Sequence, residues 1–559
     1  MAIILSKSIA RYRRRRRAAA AAPGEQRLSP SDPPPAQAAR PGTPQMADAS
    51  PAASVRGPHT PAGGDRASTP AASCAQSKGE AGTGLARHSV GLAGTLFQSI
   101  TFMAPGGAVA TSLAVGAVYA GGALPLSVLL TMISALVIAA SIGQLARHLP
   151  SAGSIYTYPA QGLHPVAGFL VGWGYALITG LVGPIVILLI GYFVATILHA
   201  EFGWNFKAMW LVFMLVPAAL TALLGYYGVK LGTWFGVVLG AFEIAVFVLL
   251  SVWMLANAAP GGLTLSVFTL KYATAKGFTG APGLLAGSVY VFLAFIGFEA
   301  TAPLAEEARD PRRTVPRAVI LSCLIIGVFY LFTTLAAAAY VGPAHLQSYG
   351  GLGGGSPWIL FARQLWGWGW VIVFLAVVNS FFANGNSALI ASTRTWYAMG
   401  RIRLLPAQFE RTHPRYDSPV VGIAAQTILT LVIALPLALR YGSATAFQLL
   451  ATILTAVMLC IYIVINISCI GYYARKKRAE FNWFWHLVLP AASAVVLLPV
   501  LAAAVGVGSS VLKFVSPLPY PISQAGLAVG IWFAIGVIYL AYLLRRHPER
   551  VHDMDKVFD

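Results

Sequence analysis

Charged residues are scarce in this chain, and their scarcity excludes an ordinary soluble domain. Asp, Glu, Lys and Arg make up 10% of the 559 residues, whereas hydrophobic residues make up 57%. Soluble domains contain about 25% charged residues and about 45–50% apolar residues. A globular protein of the present composition would have far more apolar surface than one core could bury. The composition therefore predicts a polytopic membrane protein.

Cysteine is also scarce, and residues that could form a catalytic or metal site are not clustered. The four cysteines have no paired spacing, so the sequence predicts neither a disulfide framework nor a CxxC metal site. The histidines have no metal-ligand spacing and no P-loop motif is present, so we expect no metal, no cofactor and no ATP-driven step from this chain alone. A membrane-embedded enzyme needs clustered His, Asp or Glu, so we expect that the protein is not an enzyme.

Basic residues outnumber acidic ones by 38 to 18, but their placement argues against a nucleic-acid partner. Most lie between long apolar runs, and basic residues at the ends of membrane spans indicate orientation. If both termini are cytoplasmic, the chain after residue 88 has 19 Lys and Arg in cytoplasmic segments and six in external ones. The sequence therefore predicts a multi-pass protein of the cell membrane (inner or plasma membrane), surrounded by lipid, with both termini in the cytoplasm.

Residues 1–88 differ from the rest of the chain. They are rich in Ala, Pro, Ser and Gly and contain almost no aromatic residues. Such a segment cannot bury enough apolar surface to offset its ordering entropy, so we predict a disordered cytoplasmic tail. Residues 13–17 are five consecutive arginines. They fit two interpretations, which are attraction to anionic lipid at the cytoplasmic leaflet or a dispensable extension.

Long apolar runs begin at residue 95 and recur up to residue 544. A bilayer core about 30 Å thick requires roughly 20 apolar residues per helix, and no run alternates as a membrane barrel strand does. The sequence thus predicts an all-α polytopic membrane protein with about 12 transmembrane helices. The predicted spans cover about residues 95–119, 125–146, 165–198, 208–227, 232–256, 283–302, 317–341, 369–398, 420–439, 446–473, 485–507 and 524–544.

Two of these spans are interrupted near their middle by residues that disfavour a helix. The first contains a Pro-Gly-Gly sequence ending at Gly107, and the sixth contains Gly297. Proline cannot donate to the helix ladder, and each glycine costs about 1 kcal/mol in a helix interior. Gly106 and Gly297 lie 191 residues apart, close to the 192 residues that separate the starts of spans two and seven. Five helices followed by five predict an internal repeat, and because five is odd the second copy has the opposite orientation.

Paired interruptions in inverted repeats are the best sequence indication of a transporter's binding site. Unwound backbone is tolerated in a bilayer where it lines a cavity and its polar groups can bind a ligand. Helix N-termini favour a carboxylate and free carbonyls favour an ammonium, so the pair suits a zwitterion. The alternative is that these glycines and prolines serve only helix packing. The predicted substrate-binding residues are Thr101, Met103, Ala104, Pro105, Gly106, Gly107, Phe295, Ile296 and Gly297.

The clear carboxylates within the spans are Glu243 and Glu299. An acidic residue at the centre of a membrane helix costs about 2.5–3.5 kcal/mol on insertion scales, so each is a functional candidate. Glu243 lies near the midplane, where a carboxyl group can act in coupling or gating by gaining and losing a proton. It can equally be a structural carboxylate that neighbouring groups satisfy. Span eight is unusually polar, and we expect Asn384 and Ser387 either to line the site or to bond neighbouring helices.

Three stretches of the sequence resemble one transporter family. Gly297 to Ala300 and the following residues 306–317 resemble the sixth helix and next loop of the amino acid–polyamine–organocation permeases. Residues 150–156 before span three resemble the same family, as do Tyr397-Ala398-Met399-Gly400-Arg401 after span eight. The resemblance covers about residues 89–545.

This resemblance implies a five-plus-five inverted repeat (LeuT-like) plus two C-terminal helices. Repeat one would cover about residues 95–256, repeat two about 283–473 and the extra helices about 485–544, followed by a cytoplasmic tail over 546–559. The implied function is a secondary active permease that moves amino acids or related amines by alternating access, with proton symport or exchange. The alternatives are a transporter of another small organic solute, a channel or a sensor-like protein. The resemblance also implies a coupling role for Glu243 and a gating or proton-sensing role for Glu299.

Overall fold

The computed structural model describes residues 90–151, 153–204, 209–227, 229–507 and 515–552. The predicted tail over residues 1–88 lies outside the described residues, as do positions 553–559 of the predicted C-terminal tail. The described part is almost entirely helical and contains one short hairpin of two strands, β1 (Thr274–Ala275) and β2 (Phe278–Thr279). The prediction of an all-α membrane fold is therefore confirmed.

Among the described residues, the first half of the fold contains eight α-helices. They are α1 (Leu92–Met103), α2 (Pro105–Ala110), α3 (Ser112–Ala120), α4 (Leu124–His148), α5 (Ser154–Gly162), α6 (Pro165–Phe202), α7 (Met209–Tyr227) and α8 (Val229–Ala256).

The second half and the C-terminal part contain nine more α-helices in the described residues. They are α9 (Ala281–Phe295), α10 (Pro311–Val341), α11 (Pro357–Trp366), α12 (Trp370–Arg401), α13 (Val420–Tyr441), α14 (Ser443–Lys476), α15 (Leu489–Ala504), α16 (Ala525–Arg546) and α17 (Pro548–His552).

Ten helical stretches of the described chain are long and apolar enough to cross a membrane. They account for ten of the twelve predicted spans, and the remaining two are the interrupted first and sixth spans. The first span consists of three short helices, α1 to α3, and the sixth has one 15-residue α-helix, α9. The interruptions therefore explain why these two spans are not single long helices.

The break in the first span lies at Ala104, two residues before the predicted position at Gly106. Ala104 has a left-handed conformation with φ of 48°, and α2 begins at Pro105. Proline is well suited to the first position of a helix, because that position needs no intrahelical N–H donor. The proline therefore determines where the helix restarts, and Ala104 before it adopts the strained left-handed conformation.

The break in the sixth span follows the end of α9 at Phe295. Ile296 is extended and Gly297 has φ of 125°, a value that favours glycine because it has no side chain. The chain then runs through turns and a short 3-10 helix up to residue 304 rather than resuming an α-helix. The sixth span is therefore α-helical only up to residue 295, and its interruption lies at the predicted position, Gly297.

The two halves repeat the same order of elements. Each begins with an interrupted span, and in each the third span is a long helix preceded by a short one. The short helices are α5 and α11, and the long helices that follow them are α6 with 38 residues and α12 with 32 residues. The residue bounds given above for the two repeats remain predictions.

The helices differ in burial, and both breaks are packed against other helices. In the most apolar part of each helix, 72% of the residues are buried in α6 and 67% in α14, against 22% in α7 and α16. Helix α1 packs against α8, α10 and α12, and α9 packs against α3, α4 and α14. Both interruptions therefore lie inside the bundle, where unwound backbone is shielded from lipid.

Candidate functional site

A cavity of about 60 Å³ lies where the two interrupted spans meet. Residues on both sides of the first break and the first residue after α9 contribute to its wall, together with side chains from α6, α12 and α14. The lining residues are Phe102, Met103, Ala104, Gly107, Ala108, Thr111, Ser112, Val182, Ile185, Val186, Leu189, Leu293, Ala294, Ile296, Phe381, Asn384, Phe447 and Leu454.

Five of the predicted site residues line this cavity, namely Met103, Ala104, Gly107, Ile296 and Asn384. The remaining substrate-binding and polar candidates lie beside the cavity and support the two breaks. They are Thr101, Pro105, Gly106, Phe295, Gly297 and Ser387. The lining residues of α6 and α14 were missed because an apolar side chain in an apolar helix carries no distinguishing sequence signal.

The buried side chain of Tyr330 in α10 connects the two breaks. Its hydroxyl oxygen lies 2.9 Å from the Met103 carbonyl oxygen and 3.0 Å from the Ala294 carbonyl oxygen. The hydroxyl has one proton to donate, so the two carbonyls share it. Each carbonyl belongs to the last turn before a break, so one side chain holds the ends of α1 and α9 together.

Asn384 in α12 brings an unsatisfied acceptor to the cavity. Its Nδ2 donates a hydrogen bond of 2.5 Å to the Phe102 carbonyl, and this bond orients the amide. The Oδ1 atom is buried and has no hydrogen-bond partner in the described chain. A buried acceptor without a partner carries a desolvation cost, which a bound N–H or O–H donor would remove.

The two glycines of α2 allow close helix packing. A Cβ atom on Gly106 would lie 2.8 Å from the Phe247 ring, and one on Gly107 would lie 2.6 Å from the Phe381 ring. The Gly107 N–H donates to Ser380 Oγ at 2.9 Å. These positions therefore need glycine for the approach of α2 to α8 and α12, which agrees with the packing alternative for Gly106.

Glu243 in α8 is fully buried next to α2. Its Oε2 atom lies 3.3 Å from the position that a Cβ of Gly106 would take. Neither carboxyl oxygen has a hydrogen-bond partner within the described chain, and the neighbouring polar groups include the Ser380 hydroxyl and the Gly106 amide. Because a serine hydroxyl and a backbone amide lie beside this carboxyl group, the coupling role and the structural alternative for Glu243 both stay predictions.

Glu299 is also fully buried, but it is bonded to the sixth-span break. Its Oε2 atom accepts hydrogen bonds from the Tyr462 hydroxyl at 2.9 Å and from the Gly297 N–H at 3.1 Å, whereas Oε1 has no partner in the described chain. Tyr462 belongs to α14. The carboxyl group thus closes the turn after α9 and links this turn to α14.

Polar contacts join α1 to the turn after α9 and to α12. Ser99 Oγ donates to the Phe298 carbonyl at 2.8 Å and lies 2.7 Å from the Thr301 hydroxyl. The hydroxyls of Thr101 and Ser387 are 2.5 Å apart. Ser387 therefore bonds neighbouring helices, which is one of the two roles expected for it.

Two ion pairs join the segment after the sixth span to α12. Arg394 Nε lies 2.9 Å from Glu307 Oε1, with both side chains at most 2% exposed, and Arg401 Nη1 lies 2.9 Å from Glu306 Oε2. Val90 bonds the same segment through its N–H and the Glu307 carbonyl. Arg394 belongs to α12, and pairing with Glu307 permits its burial.

Comparison with known proteins places the chain in context. A family model described as "Amino acid permease" matches residues 95–541. The low-affinity putrescine importer of Escherichia coli K12 is 27% identical over 447 residues, which cover 78% of this chain and 89% of the importer.

Two other relatives carry different solutes according to their names. The branched-chain amino acid permease of Lactococcus lactis is 26% identical, with 82% of this chain and 93% of the permease covered. The methylthioribose transporter of Bacillus subtilis is 25% identical, with 78% of this chain and 88% of the transporter covered.

Proposed function

From the premise that this chain belongs to the amino acid permease family, we propose that it is a secondary transporter that moves amino acids or related amines through the cavity at the two breaks. It is a transporter and not an enzyme. Its relatives are named for putrescine, branched-chain amino acids and methylthioribose, so their names support the class of solute rather than one compound.

The observation that carries this proposal is the meeting of both interrupted spans at one cavity beside an unpaired acceptor, Oδ1 of Asn384. Backbone groups freed at helix breaks supply polar contacts inside an otherwise apolar bundle. In the proposed site, Met103, Ala104, Gly107 and Ile296 contact the substrate. The neighbouring residues Thr101, Pro105, Gly106, Phe295, Gly297 and Ser387 hold the breaks in place.

Coupling to protons through Glu243 is part of the proposal. Its carboxyl group is buried and has no cationic partner among the described ion pairs. A buried carboxylate without a partner is costly, so its charge has to be neutralised by a proton or by an added cation. Because Glu243 lies against the first break, binding of a proton there is well placed to influence the cavity. Glu299, which bonds the second break, is the proposed gating residue.

The proposal also includes an inward gate and an orientation. The ion pairs of Arg394 with Glu307 and of Arg401 with Glu306 lie at the predicted cytoplasmic end of the spans. Their opening and closing would control access from the cytoplasm. The protein would lie in the cell membrane with both termini in the cytoplasm, which the distribution of basic residues supports.

Reconstitution tests the proposed function directly. Purified full-length protein in proteoliposomes should take up solutes from a labelled mixture of amino acids and diamines, and an inward proton gradient should raise the rate. Protein-free liposomes with the same gradient are the control. Uptake is also measured with a sodium gradient and no proton gradient, which shows which of the two cations drives transport. Absence of uptake and of exchange in protein that remains folded would overturn the proposal.

A further inference from the structure

The cavity wall has no charged side chain. Among the described residues that line it, there is no Asp, Glu, Lys, Arg or His. Side-chain polarity is limited to Asn384, Thr111 and Ser112, and the Thr111 hydroxyl already donates to the Gly107 carbonyl at 2.7 Å. A ligand that fits this wall has to balance its own charge, because an uncompensated ionic group inside the bundle is strongly disfavoured.

The buried carboxylates near the cavity are not part of its wall. Glu243 lies next to Gly106 and the Ser380 hydroxyl, neither of which lines the cavity, and Glu299 bonds to Tyr462 and the Gly297 N–H. A diamine has two ammonium groups and no carboxylate of its own. At least one of these groups would therefore stay unpaired in this cavity.

The remaining wall suits an aliphatic group. Apolar side chains form most of it, and they include branched aliphatic residues from α6, α9 and α14 together with three phenylalanine rings. The branched residues of these helices are Val182, Ile185, Val186, Leu189, Leu293 and Leu454, and the rings are those of Phe102, Phe381 and Phe447. Burial of an aliphatic side chain against such a surface is favourable in proportion to the apolar area removed from water.

We propose that this site selects a zwitterionic amino acid with an aliphatic side chain over diamines and over amino acids with charged side chains. The ammonium group of the substrate donates a hydrogen bond to Oδ1 of Asn384, so Asn384 recognises the amine. This inference rests on the proposed function. It also separates the chain from its putrescine-importing relative, although the two are 27% identical.

Competition in proteoliposomes tests the selectivity. Uptake of labelled leucine should be inhibited by unlabelled valine or isoleucine at concentrations at least tenfold lower than those needed for putrescine, lysine or glutamate. Isocaproate, which has the side chain of leucine but no amine, should also compete at least tenfold more weakly. Equal or stronger inhibition by putrescine would overturn the selectivity. Lack of any uptake or exchange would instead contradict the proposed function on which it rests.

A carboxylate placed in the cavity tests the role of Asn384. In Asn384→Asp, inhibition by putrescine relative to valine should strengthen at least tenfold, because the cavity then holds a countercharge. Asn386→Asp is the matched control, since Asn386 lies two residues away in α12, has a buried Oδ1 without a partner in the described chain, and does not line the cavity. The control should keep the wild-type ratio.

Two results would contradict the assignment of Asn384. One is an unchanged ratio in folded Asn384→Asp, and the other is the same change in both variants. If Asn384→Asp does not fold, Asn384→Leu provides the second test. It should raise the KM for leucine at least tenfold without changing the affinity for isocaproate. The isocaproate comparison in the wild-type protein requires no variant and tests whether the site needs the amine of the substrate.

Discussion

At the scale of single residues, Glu243 is the side chain whose role can be tested most sharply. Glu243→Gln keeps the shape and hydrogen-bonding capacity of the neutral acid but cannot release a proton. Uptake driven by a pH gradient should therefore fail, whereas exchange of substrate without a gradient should persist. Both rates are measured in the same proteoliposomes, with the amount of inserted protein as the reference.

The competing interpretation of Glu243 predicts a different pattern. If the carboxyl group is only structural, driven uptake, exchange and thermal stability should fall together in Glu243→Gln. Uptake that still follows the imposed pH gradient, with the pH dependence of the wild type, would show that another group carries the proton. Glu299→Gln would then be the next variant to examine.

Tyr330 provides a second test at this scale. Tyr330→Phe removes the hydroxyl that the Met103 and Ala294 carbonyls share. A net hydrogen bond is worth about 0.5–1.5 kcal/mol, so substrate affinity should fall by about twofold to tenfold as the two breaks lose their common donor. Binding is measured by titration of the purified protein.

The matched control for Tyr330 lies in the same helix. Tyr340→Phe removes a hydroxyl that donates to Gln364 Oε1 at 2.9 Å, away from the cavity. This variant should bind substrate as the wild type does. Equal losses in the two variants would mean that the effect comes from general destabilisation of α10 rather than from the connection between the breaks.

At the scale of the helices, the sequence predicted the two breaks but not the residues that contact them. Pro105 and Gly297 disfavour a continuous helix whatever surrounds them, so the sequence alone located both interruptions. The break itself falls on Ala104, a residue type that favours helices, because the proline after it starts a new helix.

The residues that contact the two breaks have no local sequence feature that identifies them. Tyr330 and the cavity residues of α6 lie in apolar spans far along the chain from the residues that they contact, and their type is common in membrane helices. The burial of Arg394 was likewise not predictable from the sequence. An arginine can be buried in α12 because Glu307, which is 87 residues away in the chain, lies beside it in the fold and forms an ion pair with it.

Gly297 allows a test of the sixth-span break. Its φ of 125° is unfavourable for other residues, and a Cβ atom there would collide with the Phe102 ring. Strained backbone of this kind costs about 1–3 kcal/mol, so Gly297→Ala should displace the break and weaken substrate binding at least about fivefold.

The control for Gly297→Ala is Gly530→Ala in α16. An added Cβ there meets no atom within 4 Å, so binding and melting temperature should stay close to those of the wild type. Unchanged substrate affinity in folded Gly297→Ala would remove the sixth-span break from the proposed site.

At the scale of the whole molecule, orientation is the first property to establish. Single cysteines near Lys271 or Ser356 should react with a membrane-impermeant thiol reagent added to intact cells, because both positions are predicted to be external. Cysteines near Arg312 or Lys476 should react only in inside-out vesicles. The reverse pattern would contradict the predicted cytoplasmic location of both termini.

The ion pair of Arg394 and Glu307 allows a test of alternating access. Removal of one partner of a buried pair is destabilising by about 3–5 kcal/mol, because the other charge is left alone. In Glu307→Gln the state closed at the predicted cytoplasmic end should therefore lose population. A cysteine at Ser387, which lies beside the cavity, should then be labelled at least tenfold faster in inside-out vesicles, in a background without the native cysteines.

A second ion pair supplies the matched control for this gate. Arg363 and Glu201 form an ion pair at the predicted external end of the spans, so Glu201→Gln also breaks an ion pair but should leave cytoplasmic labelling unchanged. The exchanged pair Arg394→Glu with Glu307→Arg restores opposite charges and should return labelling toward the wild-type rate. Unchanged labelling in folded Glu307→Gln would mean that the pair only stabilises the fold. Equal acceleration in Glu201→Gln would mean that loosening either end opens the bundle, so that the cytoplasmic pair has no gating role of its own.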